Sequence, residues 1–263
     1  MADHNWNPDQ YQKFAAERAK PFFDLLDLVR SVSGGDVFDL GCGTGELTAE
    51  LHLRARAGAT TGMDSSTTML EKADALAGNG LSFVPGDIRD FDAEAAFDLI
   101  FSNAALHWVP DHPGLLRRLT AGLRPGGQLA VQVPANGDHP SHALAEALAR
   151  EEPFVRHMRD APPSPAESVL APERYSELLE ELGYSEQHVR LQVYGHHLPS
   201  TDAIVEWTRG TTLLRYQNVL GAGTFDLFLE RYRRRLVNAL GEYSPYFYTF
   251  KRILFWAQLP TAG

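Results

Sequence analysis

The chain has 263 residues, 44% hydrophobic and 22% charged, the balance of an ordinary soluble globular protein built as one elaborated domain or a domain plus cap. Twenty-four basic residues against 34 acidic ones leave a net charge of −10, which would repel polyphosphate and argues against nucleic acid as a partner. The single cysteine, Cys42, excludes an internal disulfide and cannot make a zinc site by itself.

In chain order, Val37–Leu40 is a short apolar run that ends at Gly41-Cys42-Gly43-Thr44-Gly45. Glu46 to about Ala57 follows with Leu47, Leu51 and Ala55 at helical spacing. The unit then repeats. Ala59–Asp64 is predicted as a strand and Ser66–Leu76 as a helix. Leu81–Asp87 is a third strand and Phe97–Asn103 a fourth, the latter nearly all apolar, as a strand buried on both faces should be. Helical Leu115–Leu123 stops at Arg124-Pro125-Gly126-Gly127, and Gln128–Pro134 is a fifth strand. Strands alternating with helices of this length imply βαβ units and a parallel sheet, so the class is α/β.

After Pro134 the pattern changes. His139–Glu152 reads as helical, and Pro153, Pro162, Pro163, Pro165 and Pro172 then mark a surface excursion or lid. A helix at Glu173–Leu182 and a strand at His188–Leu198 follow. Ser200–Leu240 is mainly helical with breaks at Gly210 and Gly221–Gly223, and Phe247–Leu259 closes the pattern as an aromatic-rich strand. No window approaches about 18 uninterrupted apolar residues, and the first ten carry no signal-peptide core. Neither a membrane span nor export is expected, and a cytoplasmic enzyme is the default.

The glycine loop sits where a first strand turns into a first helix, the position at which doubly wound sheets bind ligands. A dinucleotide site wants G-x-G-x-x-G with pyrophosphate on the helix N-terminus. Here the spacing is G-x-G-x-G, and Glu46 stands where the third dinucleotide glycine would be, wrong in sign for pyrophosphate. The Lys of a P-loop is absent. Asp64, at the end of strand two, is placed to accept both hydroxyls of a ribose. Asp87-Ile88, after strand three, pairs a carboxylate with an apolar residue, suited to an adenine amino group and ring. A nucleoside without phosphates therefore fits better than NAD.

With an acid before the loop, G-x-G-x-G, and acids after strands two and three, residues Phe22 to Asn136 resemble the class I S-adenosylmethionine-dependent methyltransferases. That resemblance implies S-adenosylmethionine as cofactor. It brings Gly41 and Gly43 to the methionine part, Asp64 to ribose, and Asp87 with Ile88 to adenine. Asp39 would order the loop or the amino group, and Asn103 would meet the methionine ammonium. Met63, Ser65 and Met69 would flank the nucleoside, with Tyr11 closing over it.

Further segments narrow the likeness: Trp6 to Pro21, Ser102-Asn103-Ala104-Ala105-Leu106-His107-Trp108-Val109-Pro110-Asp111-His112, Gln132-Val133-Pro134-Ala135-Asn136, Leu213-Leu214-Arg215 and Phe228-Leu229-Glu230-Arg231-Tyr232. These are similar to the trans-aconitate methyltransferase family, which esterifies a carboxylate of a tricarboxylic acid. The resemblance implies a Rossmann-like doubly wound, mostly parallel seven-stranded sheet with a helical cap. The cap would come from the N-terminus and the segment between the last two strands. One domain spanning 1–263 would divide into a flap (1–21), a cofactor-binding half (22–136), a Pro-rich excursion with the sixth strand (137–199) and a substrate cap (200–246). Within Ser200–Leu240, six arginines against four acids give +2 on an otherwise acidic chain, as a small anionic substrate would need. Trp6, Arg215, Arg231, Tyr232 and Gln132 are the implied substrate contacts, while Arg233, Arg234 and Arg235 fit a solvated helix face.

A substrate carboxylate is already ionised at neutral pH and needs no general base. His107 and Trp108, at the exit of strand four, are therefore expected to position the substrate rather than move protons. No metal is expected. Two alternatives share the fold: a methyltransferase acting on a carrier-bound malonyl thioester, and a non-catalytic cofactor binder. A nucleic-acid methyltransferase is disfavoured by the charge and by the lack of an N/D-P-P-Y motif at Ser102–Trp108.

Overall fold

A computed structural model describes residues 15–159, 161 and 164–263. They form two compact units. The larger holds residues 16–135, 164–192 and 252–263; the smaller includes residues 136–159, 161 and 193–251. This division differs from the expected 137–199 excursion. Residues 164–192 join the larger unit because Tyr175, Leu178, Leu179 and Tyr184 are buried in its core.

The first elements are α1 (Ala15–Leu26), β1 (Asp36–Leu40), α2 (Glu46–Ala55), β2 (Ala59–Asp64) and α3 (Thr67–Ala73). Then come β3 (Leu81–Pro85), β4 (Phe97–Asn103), α4 (His112–Ala121) and β5 (Leu123–Pro134). After these follow α5 (Pro140–Ala149), α6 (Pro165–Ser168), α7 (Pro172–Glu181) and β6 (Glu186–Leu198). Last are α8 (Ala203–Arg209), α9 (Leu214–Leu220), α10 (Ala222–Leu240) and β7 (Tyr246–Gln258). The seven strands form one sheet in the order β3-β2-β1-β4-β5-β7-β6. The first five pair in parallel and β7 runs antiparallel to β5.

Period-two alternation divides the strand side chains of the larger unit between two apolar layers. Leu99, Phe101, Ala130, Leu254 and Trp256 pack with Phe22 and Leu25 of α1 and Leu51 of α2. Their neighbours Ile100, Leu129, Val131, Ile253 and Phe255 pack with α4 and α7. Both faces of the sheet are thus covered, which explains the unbroken apolar run Leu99-Ile100-Phe101 at the centre of β4. Each fully buried Leu, Ile or Phe contributes about 1.5–3 kcal/mol, so these two layers dominate the stability of the unit.

Two local differences from the sequence reading have clear causes. Strand β5 starts at Leu123, not Gln128: the register jumps from Phe97↔Leu123 to Leu99↔Gln128, so Pro125-Gly126-Gly127 makes a bulge inside the strand instead of ending the preceding helix. The prolines at 165 and 172 open α6 and α7 at their first turns, where a missing N–H costs nothing.

In the smaller unit, Phe225, Phe228, Tyr232 and Leu236 form the buried stripe of α10 and join Trp207, Tyr216 and Tyr248 in one core. Gly221, at φ 69°, separates α9 from α10, whereas Gly223 lies within α10, so the break is sharper than Gly221–Gly223 implied. Buried Ser141 is the polar centre of this core. Its hydroxyl lies 2.9 Å from Tyr248 Oη and 2.9 Å from His142 Nδ1, and its carbonyl accepts the Tyr232 hydroxyl at 2.8 Å.

Candidate active site

Between β1 and β4 the strand order reverses direction, and the turn leaving β1 lies at this switch point. The Gly41 and Cys42 amides donate to the Met63 carbonyl at 2.7 and 3.0 Å, binding the loop to β2. Gly41, Gly43 and Gly45 all have positive φ (78°, 57° and 83°), yet they serve different ends. A Cβ on Gly41 would overlap the Ala105 side chain, so this glycine allows the loop to pack on the segment after β4. One on Gly45 would come within 2.8–2.9 Å of Phe83 and Ala73. Only Gly43 has open space where a side chain would stand, so of the two glycines expected at the ligand, Gly43 is the one with room for it. Gly41→Ala is expected to cost about 2–4 kcal/mol, from overpacking added to left-handed strain. Urea unfolding reads this directly, and an unchanged midpoint would mean the Ala105 contact does not constrain the loop.

Two carboxylates flank the loop. Asp64 Oδ2 accepts the Gly43 amide at 2.9 Å and Oδ1 accepts the Ser66 amide at 2.8 Å. Burial pushes the Asp64 carboxyl up, against the opposing pull of the Ser66, Gly43 and Ser65 amides. Asp39 is only 4% exposed and accepts the Thr48 hydroxyl at 2.6 Å. Burial pushes its carboxyl up to about 7, opposed by the Thr48 hydrogen bond and reinforced by the charge of Asp64. Two desolvated carboxylates beside an open glycine form a place that favours a cation.

Asp87 caps the turn Ile88–Asp90 and is half-buried. Both of its oxygens lie close to Arg89 Nε (2.9 and 3.0 Å), and the Arg89 amide donates at 2.8 Å. The Arg89 guanidinium therefore holds the Asp87 carboxyl below the usual carboxylate range. A carboxylate still has lone pairs for a further donor, so an adenine amino group would share Asp87 with Arg89. Ile88 is half-buried against the core, Ser65 is exposed and Met69 is buried. Gly86 leaves space for Met63, whose sulfur a Cβ there would overlap.

On the other side of the switch point, the register Asp39↔Phe101 brings Asn103 level with Gly41. Asn103 Oδ1 is buried and has no donor among the described residues. An ammonium group would supply one. The chain then turns through Ala104, at φ 55°, into Leu106–Trp108. His107 is buried and its ring centroid is 4.9 Å from that of Trp108. The sequence reading missed what holds this turn in place. His112 Nε2 lies 3.0 Å from the Leu106 carbonyl, and Nδ1 lies 2.5 Å from the Tyr175 hydroxyl. A carbonyl can only accept, so Nε2 carries the proton and Nδ1 accepts from Tyr175. Burial lowers the pKa of His112, in keeping with this neutral form.

Gln132, next to Asn103 in the β4–β5 register, is fully buried and its Oε1 accepts from Arg252 Nη1 at 3.2 Å. Arg252 is itself only 6% exposed and was not singled out in the sequence. A buried arginine is a signal only once burial is known, because on its own an arginine in an aromatic strand is unremarkable.

The remaining expected substrate contacts lie in the smaller unit. Arg215 is largely buried, 3.4 Å from Glu146, with its guanidinium over the Tyr216 ring. Arg231 donates to the Glu152 carbonyl and lies over Phe154 on an exposed surface. Tyr232 departs from its expected role. It is fully buried and its hydroxyl is used by the Ser141 carbonyl, so packing accounts for it. Arg233 and Arg235 pair with Asp202 and Glu151 on the surface, as a solvated face would. Trp6 and Tyr11 lie outside the described residues.

A doubly wound sheet with this loop at its switch point defines a methyltransferase domain, and a family profile described as "Methyltransferase domain" matches residues 37–127. In solved structures the same architecture recurs. The YcgJ protein of Bacillus subtilis superposes with a TM-score of 0.59 at 14% identity, covering 92% of this chain and 98% of its own. Phosphoethanolamine N-methyltransferase 2 of Haemonchus contortus, solved with phosphomonomethylethanolamine and S-adenosylhomocysteine, gives 0.54 at 17% identity, covering 92% of this chain and 53% of that one. Sequence relatives are more specific. The trans-aconitate 2-methyltransferase of Deinococcus radiodurans is 44% identical over 97% of this chain and 98% of its own length. Those of Mycobacterium tuberculosis and Escherichia coli O157:H7 are 37% and 39% identical, each over 88% or more of both chains. The chain belongs to the trans-aconitate 2-methyltransferase family.

Proposed function

We propose that this protein transfers a methyl group from S-adenosylmethionine to a carboxylate of trans-aconitate or a related small polycarboxylic acid, forming a methyl ester. The observation that carries the cofactor is the pairing of the Gly43 amide with desolvated Asp64, beside open space at the switch point. Asp64 would take the ribose hydroxyls, Asp87 and Ile88 the adenine, and Asn103 Oδ1 the methionine ammonium. When bound, the cofactor supplies an electrophilic methyl on a sulfonium. The acceptor follows from the family, whose named members act on trans-aconitate.

Little acid–base work is asked of the protein. The substrate carboxylate is ionised at neutral pH, so the chain must hold oxygen and methyl in line and keep water from solvating the nucleophile. His107 and Trp108 would do this on a turn that His112 ties down through the Leu106 carbonyl. Arg215, largely buried in the smaller unit, is a candidate partner for a substrate carboxylate. The test is incubation with methyl-labelled S-adenosylmethionine and trans-aconitate, reading products by mass spectrometry. A labelled mono-ester at many turnovers is expected. Cofactor binding without ester from any di- or tricarboxylic acid would overturn the acceptor.

A further inference from the structure

We infer that Arg252 and Gln132 form the receptor for a non-reacting carboxylate of the acid substrate; this rests on the reading of the acceptor as a small polycarboxylate. The two residues share one face of the sheet. The β5–β7 register pairs Gln132 with Leu254 and Pro134 with Arg252. Alternation puts Gln132 on the face of Ala130, and Arg252 on the face of Leu254 and Trp256, which is the same apolar layer. Both residues lie at the carboxyl end of β5, and Asn103 adjoins Gln132 at the corresponding end of β4.

Hydrogen-bond polarity identifies the ligand. A guanidinium can only donate, so the Gln132 atom facing Arg252 has to be the oxygen, and the amide orientation is fixed. That leaves Nε2, a donor, buried without an acceptor among the described residues. Four residues earlier in the same strand, Gln128 shows what a purely structural buried glutamine looks like. Its Oε1 accepts from the Arg30 amide and Trp256 Nε1, both at 2.8 Å, and its Nε2 donates to the Arg30 carbonyl at 3.0 Å. Gln132 Nε2 is left waiting for an acceptor, and the buried guanidinium beside it favours an acceptor that is an anion. Asn103 Oδ1, one strand over, is an orphan of the opposite polarity. One position therefore calls for an ammonium and its neighbour for a carboxylate. The carboxylate held by Arg252 is not the one methylated, because a guanidinium on the attacking oxygen would draw off the electron pair that forms the new bond.

Gln132→Glu provides the sharpest test. It keeps the oxygen facing Arg252, which protects the fold, and replaces the waiting donor with an anionic acceptor. Trans-aconitate binding to the S-adenosylhomocysteine complex would be measured by calorimetry, together with KM and kcat. Q132E is expected to weaken trans-aconitate binding by about 100-fold or more and to raise KM in parallel, with S-adenosylhomocysteine affinity within about twofold of wild type. Arg252→Lys is expected to lose about 10–100-fold, since an ammonium cannot replace the planar fork. Wild-type affinity for trans-aconitate in Q132E would overturn the proposal. So would a loss confined to S-adenosylhomocysteine, which would assign the pair to the cofactor's own carboxylate. If the acceptor reading were wrong, the wild-type complex would itself fail to bind trans-aconitate, a result visible before any variant is made.

Discussion

Asp64→Ala is expected to raise the dissociation constant of S-adenosylmethionine by about 10²–10⁴-fold. Each ribose hydroxyl donating to a desolvated carboxylate is worth about 1.5–3 kcal/mol, and two are lost together. The substitution also removes the acceptor of the Gly43 amide, so the loop loses its attachment to the end of β2. S-adenosylhomocysteine carries the same ribose and should weaken by a similar factor. KM for trans-aconitate, measured at saturating cofactor, should change little. Titration calorimetry decides the matter, and unaltered affinity would remove Asp64 from the binding site.

Cofactor affinity is also expected to fall as the pH drops below about 7, by up to about tenfold per unit. Burial has pushed the Asp39 carboxyl up to about 7, so in acid the free protein holds it neutral. A cationic ligand favours the ionised form, and binding must then expel the proton. The direction follows from this: binding lowers the pKa of Asp39, releases protons at pH 6, and releases few at pH 8. Calorimetry in two buffers of different ionisation enthalpy counts those protons. Asp39→Asn should flatten the profile while leaving the Thr48 hydroxyl an oxygen to donate to. A flat profile in the wild-type protein would mean that the field of Asp39 does not reach the ligand.

The cofactor half was the most legible part of the sequence, because its signals are local. Strands β2 and β4 span the residues predicted for them, and the loop, Asp64 and Asp87 each fall at a strand end within a short stretch of chain. What could not be read depends on partners far apart in sequence. Arg252 becomes informative only when β7 brings it beside Gln132, and His112 only when α7 delivers Tyr175. The charge count over Ser200–Leu240 was real, and Arg233 and Arg235 face solvent as the solvated-face reading expected, but it could not show that Tyr232 faces inward. Tyr232 sits in the stripe of α10 that packs inward, whereas Arg233 and Arg235 lie on its outer side. Similarly, the spacing of the glycines could not show that the space beside Gly41 is taken by Ala105.

Strand β7 is the last of the seven to be synthesised, yet it lies inside the sheet, between β5 and β6. The five parallel strands can assemble from near neighbours, while this final pairing closes loops of more than a hundred residues and is expected to form last. Until it occurs, β5 presents an open edge of unpaired amides and carbonyls, the surface on which chains aggregate. The same insertion carries Arg252 to Gln132. A molecule still exposed to misassembly would therefore lack its anion receptor, and competence for the acid would arrive in the same step that ends the risk.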